Sequence, residues 1–334
     1  MTVKITKPEI NVREQLNELK KPTGVAGEAM LRAETPQEQQ ALIGVGRRNI
    51  IINGDFAVSQ RSAFSSAAPI ASGVFCVDRW RANASFNIQR FTNSDVMGTN
   101  ANYVRTSYSN NANMGLVQYI EDLNWKHLLG KDCTFSAYIR TNFDGSGLRY
   151  YDGQQNYGPR FVANGEWQKV TWSFNLRSSA SILGFVFDAY NNGSYQNNAA
   201  SGHYIDVALV QLELGKVATP FEHRSYGEEL ALCQRYFTQI KTGRIGGVIN
   251  ASGHGIVSHP VAFNMRAAPS ASYSGTPPIY YMNGTSQLSS TVSGIGGSNG
   301  YVLNLHKANG NTGHGLSFWV DLSNANYFNF DAEL

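Results

Sequence analysis

From Asn49 to about Ser225 hydrophobic and polar residues alternate with a period of two. Cys133, Phe135, Ala137 and Ile139 interleave with Thr134, Ser136, Tyr138 and Arg140, and Val170, Trp172 and Phe174 with Lys169, Thr171 and Ser173. Successive side chains of a strand point to opposite faces, so each run presents one apolar and one polar face. Similar runs occur at 75–82, 84–92, 101–108, 114–121, 182–188 and 203–214. The β-branched run Ile50-Ile51-Ile52, ending in Asn53-Gly54-Asp55-Phe56, reads as the first strand, and the alternation at 204–214 as the last. About eight or nine strands follow, joined by Gly- and Asn-rich connections and broken by one short helix at 124–130. The class is all-β, an antiparallel jelly-roll β-sandwich.

The ends carry other patterns. Residues 1–48 show no strand period but two short helical signals. Val12, Leu16 and Leu19 make one heptad of seam, and Thr35-Pro36-Gln37-Glu38 is a capping box that opens a second helix. Neither is long enough to be stable alone, so the segment reads as a leader or as a peg ordered against a larger assembly. Ser225-Tyr226-Gly227-Glu228 is another capping box, and the spacing of Leu230, Cys233, Phe237 and Ile240 predicts a connecting helix over 226–242. Such a stripe fits either a plug across the sandwich or the meeting line of three copies. Beyond Gly243 the chain is rich in Gly, Ser and Asn, with β-like pieces that suggest a small β tip over 243–334.

Composition narrows the functions. The 334 residues are 42% hydrophobic and 12% aromatic, enough for two modest domains. A net charge of +3, thinly spread, argues against nucleic acid as a partner. No segment approaches the ~20 apolar residues of a membrane helix, so no membrane insertion is expected. Residues 1–48 hold 14 of the 51 formal charges and residues 243–334 only six, so the two ends do different work. Cys76, Cys133 and Cys233 are odd in number and widely spaced, which points to buried thiols in a reducing compartment.

Catalytic signatures are missing. The seven histidines form no His-Glu-x-x-His, no phosphate loop or Gly-x-Ser-x-Gly elbow occurs, and no pair of carboxylates stands out. Glu121 with Asp122, or Asp188 with Asp206, read as loop caps or ion pairs, so no enzyme is expected. Sugar recognition needs aromatic faces beside hydrogen-bonding side chains, and two stretches supply both. Arg149, Tyr150, Tyr151, Asp152, Gln154 and Tyr157 form one, and Tyr190, Asn191 and Tyr195 the other. Trp80, Trp125, Trp167 and Trp172 are expected in the core.

Taken as an ordered set, Arg47-Arg48 with 49–56, then Asp78-Arg79-Trp80, then Gln211-Leu212-Glu213-Leu214-Gly215, Pro220-Phe221-Glu222 and 232–237 resemble the central domain of bacteriophage tail-fibre and receptor-binding proteins. Their sandwich is similar to that of carbohydrate-binding modules. The resemblance implies a non-enzymatic homotrimer in the virion tail, folded in the host cytoplasm. It would be held to a tail or baseplate protein by residues 1–48 and attach to a host-cell surface polysaccharide. The alternative is a tail adaptor, collar or baseplate component that makes protein contacts only. Sandwiches of this kind often hold a structural Ca²⁺, for which this chain offers Asp55 and Asp206; no other cofactor is implied.

Overall fold

A computed structural model describes Arg32 and residues 47–108, 115–191, 194–195, 199–241, 243–249, 255–259, 265–274, 278–281, 286–297, 300–307, 317–322 and 327–333, with the backbone alone for 189–191, 194–195 and most of 249–322. Both helices expected within 1–48 lie outside these residues.

The alternating runs form two antiparallel sheets face to face. In chain order the strands are β1 (Ala68–Ile70), β2 (Arg81–Ala82), β3 (Phe86–Val96), β4 (Thr99–Ser107) and β5 (Gly115–Tyr119). A short helix α1 (Asp122–Trp125) runs into a 3-10 turn and leads to β6 (Asp132–Thr141), β7 (Ser146–Tyr151) and β8 (Gln155–Arg160). Then come β9 (Gln168–Asn175), β10 (Gly184–Asn191), β11 (Ser194–Tyr195) and β12 (Tyr204–Leu214). The first sheet runs β1-β3-β4-β12-β6-β9 and the second β2-β5-β10-β7-β8, with β11 hung on β10. This is an all-β jelly-roll sandwich.

Between the sheets lies one apolar core, including Trp80, Trp125, Phe135, Phe185 and Phe187. Phe135 stacks on Phe185 with ring centroids 4.5 Å apart. Trp172 packs against this core from the edge, whereas Trp167 belongs to a smaller cluster around Tyr103. The third and fourth tryptophans therefore part company, although their sequence signals looked alike.

The run at 49–52 is buried but is not a ladder strand. Ile50 N–H reaches Leu212 O, and from there side chains replace the ladder. Asn49 Oδ1 accepts from the amides of Ile51 and Leu212, and the Gln118 amide group both accepts from Ile52 N and donates to Ile52 O. Asn53, at φ 57, then turns the chain. Its side chain bonds Val58 O, Asp78 O and Val58 N, while its carbonyl accepts from Trp80 Nε1. Hydrophobicity buried this segment, and polar side chains far away in sequence satisfied its backbone.

The second helix, α2 (Tyr226–Gln234), opens with the expected capping box: Ser225 accepts from Glu228 N and Glu228 accepts from Ser225 N. It ends nine residues later. Phe237 and Ile240 lie instead on a strand, β13 (Phe237–Ile240), so the four-residue helical stripe does not exist. Cys233 and Leu230 pack on Ile52, Val58 and Tyr236 of the same chain. The helix stops because Tyr236 is buried, with its hydroxyl on Glu121, and because Phe237 and Ile240 pair with Asp331 and Phe328.

The remaining strands are β14 (Gly243–Ile249), β15 (Gly255–His259), β16 (Ser270–Ser274), β17 (Pro278–Tyr281), β18 (Ser286–Gly297), β19 (Gly300–Lys307), β20 (Ser317–Leu322) and β21 (Tyr327–Asp331). Six of them close a barrel in the order β14-β15-β19-β18-β17-β20, and β13, β21 and β16 make a separate three-stranded sheet. The barrel is thus a long excursion between β13 and β21. Residues 327–333 return to the sandwich, where Arg61 reaches Asp331 and Glu333 and Arg79 pairs with Glu333, while Arg266, just before β16, bonds Ala332 O and Glu333 O.

Candidate functional site

Register fixes what the outer face of the second sheet displays. Leu116, Phe185, Leu148 and Tyr150 point into the core, so their neighbours point away from it. Pairing sets Tyr119 of β5 and Tyr151 of β7 on either side of Gly184 of β10, with Gln155 of β8 beyond. The next row is Arg81, Val117, Val186, Arg149 and Tyr157, of which Val117, Val186 and Arg149 are buried.

Gly184 shapes the first row. A Cβ at this position would lie 2.6 Å from Cδ1 and 2.7 Å from Cε1 of Tyr119. The Tyr119 ring therefore rests on the backbone of β10, and its other face turns away from the sheet. Arg79 Nη2 donates to Tyr119 O at 2.7 Å and holds the end of β5. Tyr119 and Tyr151 are half-buried, and Tyr157 is 40% exposed with its hydroxyl donating to Gln155 Oε1 at 2.7 Å.

The expected sugar-binding residues divide here. The stretch 148–157 is a hairpin of β7 and β8 and not a loop. Arg149 is buried against the fully buried Asp188, at 2.5 Å. Tyr150 belongs to the core, stacked on Phe174 at 4.5 Å, and burial pushes its hydroxyl pKa up. Asp152 is buried beneath Arg177, with Nη2 2.9 Å from Oδ1, and accepts from Gln154 N and Asn156. Those three residues cannot meet a ligand. Tyr151, Gln154 and Tyr157 reach the surface. Tyr190 pairs with Tyr195, and Asn191 with Ser194, in the short β10–β11 hairpin, whose backbone alone is described. Nothing in the sequence marks Tyr119 or Arg81, because only the register to Gly184 puts Tyr119 in one row with Tyr151, and only the register to Val117 puts Arg81 at the opposite end of the next row from Tyr157.

Asp55 and Asp206 do not fit a calcium ion. Asp206 is fully buried on the outer side of the first sheet, and both its oxygens are taken by arginines. Arg105 contacts Oδ1 through Nε at 2.7 Å and Oδ2 through Nη2 at 2.9 Å, and Arg140 Nε contacts Oδ2 at 2.8 Å. Asp55 accepts from Ala57 N. Calcium needs six to eight oxygens, and two guanidinium groups already answer the Asp206 charge. Among the described residues no group of three or more His, Cys, Asp and Glu could hold a metal. Glu121 is likewise paired, with Arg235 at 2.8 Å.

No helix among the described residues is long and apolar enough to cross a membrane. No family model matches the chain, and no curated protein matches it. Among solved structures, the enzymatically active domain of tailspike protein 4 from bacteriophage CBA120 is similar at TM-score 0.31 and 12% identity, over 50% of this chain and 21% of that one. The CBM22-1–GH10 modules of a Clostridium thermocellum endo-1,4-β-D-xylanase, complexed with xylohexaose, give TM-score 0.31 and 13% identity over 52% of this chain and 30% of that one. A CBM22 tandem domain from Paenibacillus barcinonensis gives 0.29 and 9% over 82% and 99%. The chain thus spans less than a third of the tailspike and xylanase chains. At such scores none of these likenesses says what the chain binds.

Proposed function

We propose that the chain is a phage tail-fibre protein that attaches to the host cell by binding a surface glycan on the outer face of its second sheet. The observation that carries the glycan reading is the row Tyr119, Gly184, Tyr151. A glycine between two tyrosines leaves a shallow slot, and the Tyr119 ring is laid flat across its floor. A pyranose has an apolar C–H face that stacks on such a ring, while its equatorial hydroxyls reach sideways for polar partners. Gln155, Tyr157 and Arg81 stand at the sides of the slot, all on strands and therefore held in place before a ligand arrives. The tail-fibre part rests on the ordered motif set of the sequence, and with it come trimeric assembly and docking to the virion through residues 1–48.

The test is retention of the full-length protein on polysaccharides from candidate host surfaces, with its mass measured by light scattering. Tyr119→Ala and Tyr151→Ala should each weaken binding about tenfold or more, the loss of one base-like or sugar-like stacking contact at ~1–3 kcal/mol. Binding unchanged in both variants, or no retention on any polysaccharide, would remove the glycan reading. A monomeric mass would remove the trimer.

A further inference from the structure

The first sheet has an outer face of a different chemistry. Register places Gln89, Arg105, Asp206 and Arg140 in one row, and Phe91, Tyr103, Ala208, Tyr138 and Lys169 in the next. A β-bulge between Ala208 and Gln211, with Leu209 at φ 49, brings Leu209 into the cluster of Tyr103, Ala208, Phe91, Tyr138 and Trp167. Phe91 and Tyr103 stack with centroids 4.5 Å apart, and Trp167 meets Tyr103 edge-on at 5.3 Å. The arginines lie over rings as well: Arg105 is 4.1 Å from the Tyr204 centroid and Arg140 4.8 Å from that of Trp167.

Charge here is in surplus. Asp206 is fully buried beneath Arg105 and Arg140, which keep 30% and 24% of their side-chain surface exposed. One carboxylate neutralises one guanidinium, so with Lys169 the two rows carry a net +2, or +1 if the exposed Glu166 of the adjoining loop is counted. Among the described residues Arg105 spends Nε and Nη2 on Asp206, and Arg140 spends Nε and Nη2 on Asp206 and Tyr103. Each keeps its Nη1 group for another acceptor. The two hydrogen bonds to Asp206 aim the Arg105 guanidinium, which is cationic at any working pH. Half-buried Phe91, Trp167, Tyr138 and Tyr204 surround the pair.

We infer that this face is a second saccharide site and that it takes a carboxylate-bearing sugar chain. A planar carboxylate matches the remaining guanidinium donors, and a pyranose ring matches the aromatic surround. The surplus positive charge sets it apart from the tyrosine slot. The site is independent of the slot and does not rest on the reading proposed above.

Calorimetric titration of the full chain with hexagalacturonate, with 3′-sialyllactose and with a neutral galactan oligosaccharide tests it. Either acidic probe should bind, more weakly as salt rises, and any binding of the neutral one should be untouched by Trp167→Ala; which acidic probe binds separates uronate from sialate sources. Trp167→Ala should weaken binding about tenfold and Lys169→Gln about threefold. Arg140→Lys, which keeps the charge and loses the fork, should also weaken it, while Tyr119→Ala on the other sheet should leave it unchanged. The inference is overturned if neither acidic probe binds, if Tyr119→Ala abolishes binding that Trp167→Ala spares, or if Trp167→Ala instead abolishes a concentration-dependent rise in mass, which would make the face a contact between copies.

Discussion

Glu333 sets its carboxylate against the guanidinium of Arg79, 254 residues earlier in the chain, and both side chains are almost fully buried. Arg79 also lies flat on Tyr236, 3.6 Å from the ring centroid, and donates to Tyr119 O. Arg61 stands beside them over Phe237 at 3.7 Å, reaching Asp331 at 3.2 Å and Asp78 at 3.7 Å. The last residues of the chain therefore lock the sheet that carries the barrel onto the sandwich. Removing one partner leaves a buried charge, so Glu333→Ala is expected to destabilise by about 3–5 kcal/mol. Urea denaturation of the full chain measures it, and a loss below about 1 kcal/mol would show that the pair holds nothing. Arg79→Leu with Glu333→Leu should cost less than the sum of the single changes.

The motif set turns out to describe this junction. Asn49, Asn53, Asp78, Arg79, Glu222, Cys233 and Tyr236 all meet where 49–58, β12, α2 and β21 converge. Glu222 accepts from Asn49 N at 2.6 Å, and Arg224 donates to Ile51 O and pairs with Glu229. The residues that carry the family resemblance are the polar scaffolding of this corner. The two faces proposed above for binding lie elsewhere, on strands whose sequences are less distinctive.

A second expectation concerns pH. Burial works to raise the Glu121 pKa, but hydrogen bonds from Arg235 and Tyr236 outweigh it, and the carboxyl titrates below its usual 4.5. A group whose folded pKa is depressed stabilises fully above its unfolded value and loses that contribution as pH falls through the folded one. Asp78 and Glu229 run the other way, since burial raises both and their contribution is lost as pH rises. The comparison must therefore be between wild type and Glu121→Gln, in which those two cancel. The stability gap should be about 1–2 kcal/mol near neutrality and shrink below about pH 4.5. A gap equal at pH 3.5 and pH 7 would refute the assignment.

The thiols give a third. Cys76, Cys133 and Cys233 are free and buried, and burial pushes the first two up to about 12 and the third well above its usual value. Thiolates are the reactive species, so none should be labelled by a maleimide or an aromatic disulfide at pH 8 in the folded protein. All three should react once it is unfolded. Rapid labelling of any thiol under native conditions would contradict the packing of the helix and both sheets around them.

Period-two alternation made the sandwich legible in strands such as β3, where Phe86 and Ile88 are buried and Asn87 and Gln89 half-exposed, whereas β5, β7 and most of β12 are buried on both faces. It also held through Leu148-Arg149-Tyr150-Tyr151, where the core residues Leu148 and Tyr150 alternate with Arg149 and Tyr151; an aromatic-rich composition masked the strand. Helical spacing misled at Phe237 and Ile240, since a spacing of three is also met by two residues of a strand whose partner lies 88 residues further on, as Ile240 and Phe328 show. The aromatic slot was out of reach, because it exists only through the register of Tyr119 and Tyr151 to Gly184. A single sequence fixes the period of a strand and not its neighbours.

Glycine marks the corner more sharply than any charge. Gly54 follows Asn53 where the chain passes against β12: Val210 N donates to Gly54 O at 2.8 Å, and a Cβ on Gly54 would lie 2.1 Å from Val210 O. The obstacle is backbone in the bulge of β12, tied down by the bond to Gly54 O and by Asn49 Nδ2, which donates to Val210 O at 3.0 Å. Gly98, in the β3–β4 turn, makes the control: it sits at φ +79 with nothing within 4 Å of the missing Cβ. Gly98→Ala therefore meets only the left-handed backbone penalty, about 1–2 kcal/mol. Gly54→Ala must push apart two backbone segments at the centre of the junction, and is expected to cost more than about 3 kcal/mol or to prevent folding. Thermal melts of the two variants decide it. If Gly54→Ala melts within a degree of Gly98→Ala, the close approach of 49–55 to β12 is wrong, and with it the account of why an Asn-Gly pair stands there.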